Sequence, residues 1–216
     1  MTTKPLSLTH LVKPSESDQP SPLILMLHGY GSDENDLFSF ANYLPKAYTI
    51  ISVRAPYKLQ PMGNAWYAIN FDANSNKFSD TAQAVESRDK IRNFILEALE
   101  AYNINKDNIT LFGFSQGTIL SFATALTYPH LIKNVIGLSG YIDKNMIEMG
   151  DTNALQNLNI FSSHGSVDQV IPVEWARKTP EVLNELGIEC EFKEFPVGHG
   201  VSQDNFKAVL DWMSKF

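Results

Sequence analysis

A chain of 216 residues is long enough for one well-buried domain and short for two, since domains commonly run about 100 to 200 residues, so residues 1–216 are expected to form one domain. Hydrophobic residues at 44% and charged residues at 19% exclude a disordered chain and can fill a core. A formal net charge of -7, with no cluster of Lys and Arg, argues against a nucleic-acid partner, because phosphates are met by grouped cations.

The N-terminal stretch MTTKPLSLTHLVKP contains no apolar run of signal-peptide length. The nearest such run, residues 23–27, is far too short to span a bilayer. The expectation is a cytoplasmic protein without stable membrane association. The single cysteine, Cys190, excludes an intrachain disulfide and agrees with a reducing compartment.

Residues 22–27, PLILML, form a continuous apolar run ending in His28-Gly29-Tyr30-Gly31, the pattern of a strand buried on both faces that feeds a glycine-rich loop. Similar runs follow at 48–53, 109–112, 135–138 and 160–162, and an alternating segment at 188–195 completes six predicted strands. Between the second and third lies the clearest helix, starting near Thr81, with Ile91, Phe94, Ile95, Ala98, Leu99 and Tyr102 on one face. Further helices are predicted over 118–128, over 172–187 with a kink or split at Thr179-Pro180, and around Phe206, Val209, Leu210, Met213 and Phe216. Alternation of this kind predicts an α/β fold with a mostly parallel sheet and helices on both faces. Residues 57–80 and 141–157 show no regular pattern and read as long loops of the kind that bind ligands or close over them.

Gly113-Phe114-Ser115-Gln116-Gly117 matches G-x-S-x-G, set directly after a buried strand and before a helix. A nucleophile elbow needs small flanking residues, because the chain turns sharply and side chains there would collide. At a helix N-terminus, unpaired N–H groups favour developing negative charge beside Ser115. A serine hydroxyl needs a base, and the base a carboxylate that comes between the two in sequence. Asp168 follows the fifth strand in HGSVDQVIP and His199 follows the sixth in PVGHG, both at C-terminal strand ends, where open parallel sheets bind ligands. Asp143 and Asp151 also fall between the serine and the last histidine, but belong to the loop after the fourth strand, so Asp168 is preferred. His28 and His164, in strand–loop corners, read as braces, and His130 as solvent-facing. Cys190 shares an apolar strand face with Ile188 and Phe192 and reads as packing. One oxyanion donor is the backbone N–H of Gln116, and the loop at His28-Gly29-Tyr30-Gly31 supplies the other, with Tyr30 preferred to Gly29. No metal or nucleotide motif appears, so no cofactor is expected. For a limited apolar substrate groove the candidates are Leu59, Met62, Trp66 and Phe71 on one loop and Met146, Ile147 and Met149 on the other, interrupted by Asn64, Asn70, Asp72, Asn74 and Asn76.

With these residues assembled, the chain resembles the phospholipase/carboxylesterase family of α/β-hydrolases, which includes bacterial carboxylesterases and acyl-protein thioesterases. The resemblance runs through LHGYGSDENDL from residue 27, RAP at 54, AWY at 65, GFSQGT at 113, HGSVDQVIP at 164 and GHG at 198. It implies the α/β-hydrolase fold, a triad of Ser115, Asp168 and His199, oxyanion donors at Tyr30 and Gln116, no cofactor, a small-molecule ester substrate and often a homodimer. Thr118 stands where the thioesterase branch usually has another glycine, and Ala68 where it usually has aspartate after the Trp-Tyr pair. These departures favour a small-ester hydrolase over a lysophospholipase or protein-depalmitoylating enzyme. The alternative of another class is a catalytically silent ligand-binding protein of the same fold, and a third reading is a hydrolase of that fold acting on peptides or activated lactones.

Overall fold

The computed structural model describes residues 3–71 and 77–215. Along the chain come β1 (His10–Lys13), β2 (Ser21–Leu27), a short helix α1 (Asn35–Phe38) and β3 (Thr49–Val53). Four brief strands follow, β4 (Tyr57–Lys58), β5 (Asn64–Ala65), β6 (Ile69–Phe71) and β7 (Lys77–Ser79), and then the long helix α2 (Thr81–Ala101). The rest is β8 (Ile104–Phe114), α3 (Gln116–Thr127), β9 (Asn134–Leu138), a single 3-10 turn (Lys144–Met146), α4 (Thr152–Leu155), β10 (Asn159–Gly165), α5 (Val173–Glu185), β11 (Cys190–Phe195) and α6 (Gln203–Met213).

Seven strands form one sheet in the order β1-β3-β2-β8-β9-β10-β11. Every neighbouring pair is parallel except β1 with β3. The inner strands are buried over most of their length because both faces are covered, and strand alternation sends successive residues to opposite layers. In β2, Leu23, Leu25 and Leu27 pack beneath α2 and α3, whereas Ile24 and Met26 pack against α1 and α6. Each such fully buried side chain contributes about 1.5–3 kcal/mol relative to exposure. Helix α2 starts where expected: the Asp80 side chain accepts from the Gln83 N–H, and Ala84, Ile91, Phe94, Ile95 and Ala98 then recur on its buried face.

Three expectations need correction. The N-terminal segment holds a strand, β1, paired antiparallel at the edge of the sheet. Residues 57–80 are not a plain loop, since β4 pairs with β5 and β6 with β7. The helix over 172–187 is not split: Pro180 lies inside α5, which stays continuous with Val173, Ala176, Thr179 and Leu183 buried on one face. Proline removes one N–H there, and anchorage on both sides of it outweighs the loss. Asp72, Asn74 and Asn76, the side chain of Phe71, and Phe216 lie outside the described residues.

Candidate active site

The C-terminal ends of β2, β8, β10 and β11 meet at one edge of the sheet, and the loops beyond them hold the chemistry-bearing side chains. Ser115 links β8 to α3 with φ 54° and ψ -117°, a conformation that non-glycine residues rarely adopt. Its N–H donates to Leu138 O at 2.8 Å, which ties the turn to β9. The two glycines around it are sterically required. A Cβ on Gly113 would lie 2.6 Å from Gly117 O, and one on Gly117 would lie 1.9 Å from Leu27 O. The turn therefore closes only because both side chains are absent.

Asp168 sits in the turn between β10 and α5, and His199 in the loop between β11 and α6. The Asp168 Oδ1 accepts from the N–H groups of Val170 (2.8 Å) and Ile171 (3.0 Å), which fixes the carboxylate plane. Its Oδ2 stands 2.7 Å from His199 Nδ1, and His199 Nε2 stands 2.9 Å from Ser115 Oγ. With Nδ1–H donating to the carboxylate, Nε2 is left to accept the serine hydroxyl proton. Burial pushes the Asp168 carboxyl up, but the hydrogen bonds from His199, Ile171 and Val170 outweigh it and hold the group below the usual carboxylate range. It therefore stays ionised beneath the imidazole. The His199 ring also rests against Phe114, with centroids 5.0 Å apart. Such a relay can draw a proton from a hydroxyl and return it to a leaving group.

Gln116 opens α3, so its N–H is among the first four without an intrahelical acceptor. Its side chain is a clamp: Oε1 accepts from Trp66 N and Nε2 donates to Tyr67 O, each at 2.8 Å. The loop after β2 approaches closely, since a Cβ on Gly29 would lie 3.3 Å from Ser115 Cβ. Tyr30 follows in that loop and, with Gln116, borders the same cavity as Ser115.

That cavity, about 630 Å³, opens over Ser115 and His199. Tyr67, Ile69, Ile119, Tyr141, Val170 and Trp175 supply its apolar walls, while Asp143, Asn145, Ser79 and Thr81 interrupt them. Burial and the nearby Asp143 push the Tyr141 phenol up to about 12, so it is neutral at ordinary pH. The four residues expected to bind substrate are not at the cavity. Trp66 and Met146 are wholly buried in the core, and Trp66 Nε1 donates to His28 O. Leu59 and Met62 belong to the turn between β4 and β5, where Met62 is 76% exposed. Ile147 and Met149 border a separate depression with Leu126 and Leu186. Trp66 and its neighbour Tyr67 are both buried in the same core layer, and Tyr67 also borders the cavity. Trp175 had a legible signal, a large aromatic on the polar face of an amphipathic helix. The other walls form only when distant segments meet.

The remaining histidines and acids have other partners. His28 donates from Nδ1 to Gly29 O and accepts at Nε2 from Ala55 N, and burial lowers its pKa. His130 is exposed. Asp143 caps the 3-10 turn by accepting from Asn145 N, and Asp151 caps α4 through Asn153 N. Cys190 is partly buried, and burial pushes its thiol up to about 12. Among the described residues no group of three or more His, Cys, Asp or Glu could hold a metal ion, and no helix is long and apolar enough to cross a membrane.

Residues 9–216 match the Phospholipase/Carboxylesterase family. The acyl-protein thioesterase 1 of Candida albicans is 26% identical over 226 residues, covering 96% of this chain and 97% of its own. Among solved structures, the Bacillus cereus carboxylesterase superposes with a TM-score of 0.84 at 18% identity, covering 97% of this chain and 94% of that one. The esterase PE8 superposes with a TM-score of 0.81 at 23% identity, covering 97% and 99%. At such identities the superpositions carry the fold alone.

Proposed function

The chain belongs to the phospholipase/carboxylesterase family, and on that premise we propose that it is a serine hydrolase that cleaves carboxylic esters or thioesters of short to medium acyl chains through an acyl-enzyme on Ser115. Hydrolysis of esters or thioesters is the chemistry the family supports. The observation that carries the finer reading is the relay from Ser115 Oγ to His199 Nε2 at 2.9 Å and from His199 Nδ1 to Asp168 Oδ2 at 2.7 Å. Ser115 Oγ attacks the carbonyl carbon as His199 Nε2 takes its proton, and the Asp168 carboxylate stabilises the imidazolium. The N–H groups of Gln116 and Tyr30 receive the oxyanion, where loss of one donor typically costs about 2.7–4 kcal/mol of barrier. Collapse of the tetrahedral adduct breaks the bond to the alcohol or thiol, which leaves with the proton from His199. Water, deprotonated by the same imidazole, then attacks the acyl-enzyme and releases the acid.

The acyl-length limit rests on the cavity. Each buried methylene contributes about 0.8 kcal/mol, roughly fourfold in specificity, until the apolar wall ends. Here Asp143, Asn145, Ser79 and Thr81 break that wall. The test is kcat/KM for monomeric esters and matched thioesters of increasing acyl length. It is expected to rise over short chains and level off at medium ones. Continued improvement through long chains, or activation by lipid micelles, overturns the limit and favours a lysophospholipase or depalmitoylating enzyme.

A further inference from the structure

His164 is a wholly buried histidine that the reaction just described does not use. The sequence places it in a strand–loop corner, but β10 extends to Gly165, so His164 lies on the strand itself, four residues before Asp168. Its Nε2 makes two contacts. It is 2.9 Å from Ile171 O and 3.2 Å from Asp168 Oδ2, the same oxygen that receives His199 Nδ1. The other ring nitrogen, Nδ1, is buried with no hydrogen-bond partner among the described residues. A proton on Nδ1 would have no acceptor among the described residues, whereas a proton on Nε2 is donated to the Ile171 carbonyl with the Asp168 carboxylate beside it, so the ring is the Nε2–H tautomer. Ile171 in turn gives its own N–H to Asp168 Oδ1. One ring nitrogen thus holds Ile171 at one end of the turn that cradles the carboxylate and stands beside the carboxylate at the other.

Resting on the triad reading above, we propose that His164 is a positioning residue for hydrolysis: its Nε2–H, bonded to Ile171 O, holds the turn that carries Asp168 under His199 and, lying 3.2 Å from Oδ2, moderates how strongly that carboxylate attracts the imidazolium. Removing the donor leaves more negative charge at Oδ2. The imidazolium form of His199 is then favoured, and the base is lost to protonation at higher pH. The other charged group facing His164 is Glu194, its register partner on β11, which is engaged by Arg177 of α5. That pair stays in place in the variants below.

The test is the acid limb of the pH profile of kcat/KM on a soluble ester, measured for the wild type, His164→Ala, His164→Gln and His164→Asn. The amide nitrogen of Gln reaches the place of Nε2, and that of Asn falls short of it. His164→Ala is expected to lose ten- to a hundredfold in kcat, the order of a small misplacement of a catalytic group, with the acid limb moved up by roughly half a pH unit. His164→Asn should behave like Ala, and His164→Gln should return the limb towards wild type. If the Ala variant does not fold, the Gln and Asn variants carry the comparison. His10→Ala serves as the structural control. His10 is another buried histidine, bonded to Leu8 O and Tyr102 Oη, and its loss should lower Tm without moving the limb. An acid limb that stays at the wild-type position in Ala and Asn, or that moves as far in Gln as in Asn, overturns the role of His164 and leaves the triad intact. A wild-type profile with no acid limb overturns the triad reading itself, and this proposal with it.

Discussion

Asp168 shows how much a single side chain is asked to do. One oxygen holds the turn through Val170 and Ile171, and the other faces His199. Asp168→Asn can keep the first task, because an amide oxygen still accepts two N–H groups. It fails the second. An NH2 group beside Nδ1 makes that nitrogen an acceptor, which puts the proton on Nε2 and leaves nothing to receive the serine hydroxyl. The expected result is a folded protein whose kcat is lower by on the order of 10³ to 10⁴. Asp151→Asn should turn over close to wild type, since asparagine caps a helix as well as aspartate does and the Asp151 side chain caps α4. Comparable losses in the two variants would show that the acid has been misassigned. Gln116 is a second residue with divided duties, its backbone N–H free at the start of α3 and its amide holding Trp66 and Tyr67.

At the scale of elements, the junction of β2, β8 and α3 sets the position of the serine, and its tightness is testable. A methyl group on Gly117 would collide with Leu27 O, and neither backbone can yield without moving α3 off the sheet. Gly117→Ala is therefore expected to destabilise the protein by about 1–3 kcal/mol, read as a lower midpoint in urea, and to reduce activity in the fraction that still folds. A variant with wild-type midpoint and activity would contradict that packing. The inner strands were legible because continuous apolar runs such as PLILML have only one comfortable place, a sheet covered on both faces. β1 was not, because HLVK is short and paired on one side, so its apolar content is diluted. The strands between residues 57 and 80 have two or three residues each, too few to show a period. Ser115, Asp168 and His199 could be picked from the sequence because each follows a recognisable strand. The cavity walls could not, since Tyr67, Tyr141 and Trp175 come together only through tertiary packing. The apolar loop residues chosen instead, Trp66 and Met146, turned inward to the core.

For the molecule as a whole, acid sensitivity follows from the carboxylates the fold relies on. Hydrogen bonding from Arg54 holds Glu34 below its usual range against the opposing effect of burial, and Asp168 is likewise depressed in spite of burial. A depressed carboxylate contributes stability that is present above its unfolded value, about 4, and is lost as the pH falls through its folded value. Tm should begin to fall below about pH 6.5, where the unfolded chain takes up a proton that buried His28 resists, and fall further below about pH 4 as the depressed carboxylates are protonated, with a shallower fall below about pH 4 in Glu34→Gln; an unchanged slope there in that variant would contradict the assignment. The larger architecture serves one end: parallel strands bring a serine, a histidine and an aspartate from three separate loops to one edge of the sheet, under a cavity walled by Tyr67, Tyr141 and Trp175. The claim that this constellation makes Ser115 a nucleophile is tested most directly by treating the folded protein with a fluorophosphonate and locating the adduct by mass spectrometry. One adduct is expected, on Ser115, and none on Ser115→Ala, which should also retain the wild-type fold and lose ester hydrolysis. An adduct elsewhere, or hydrolysis by Ser115→Ala near the wild-type rate, would contradict that claim.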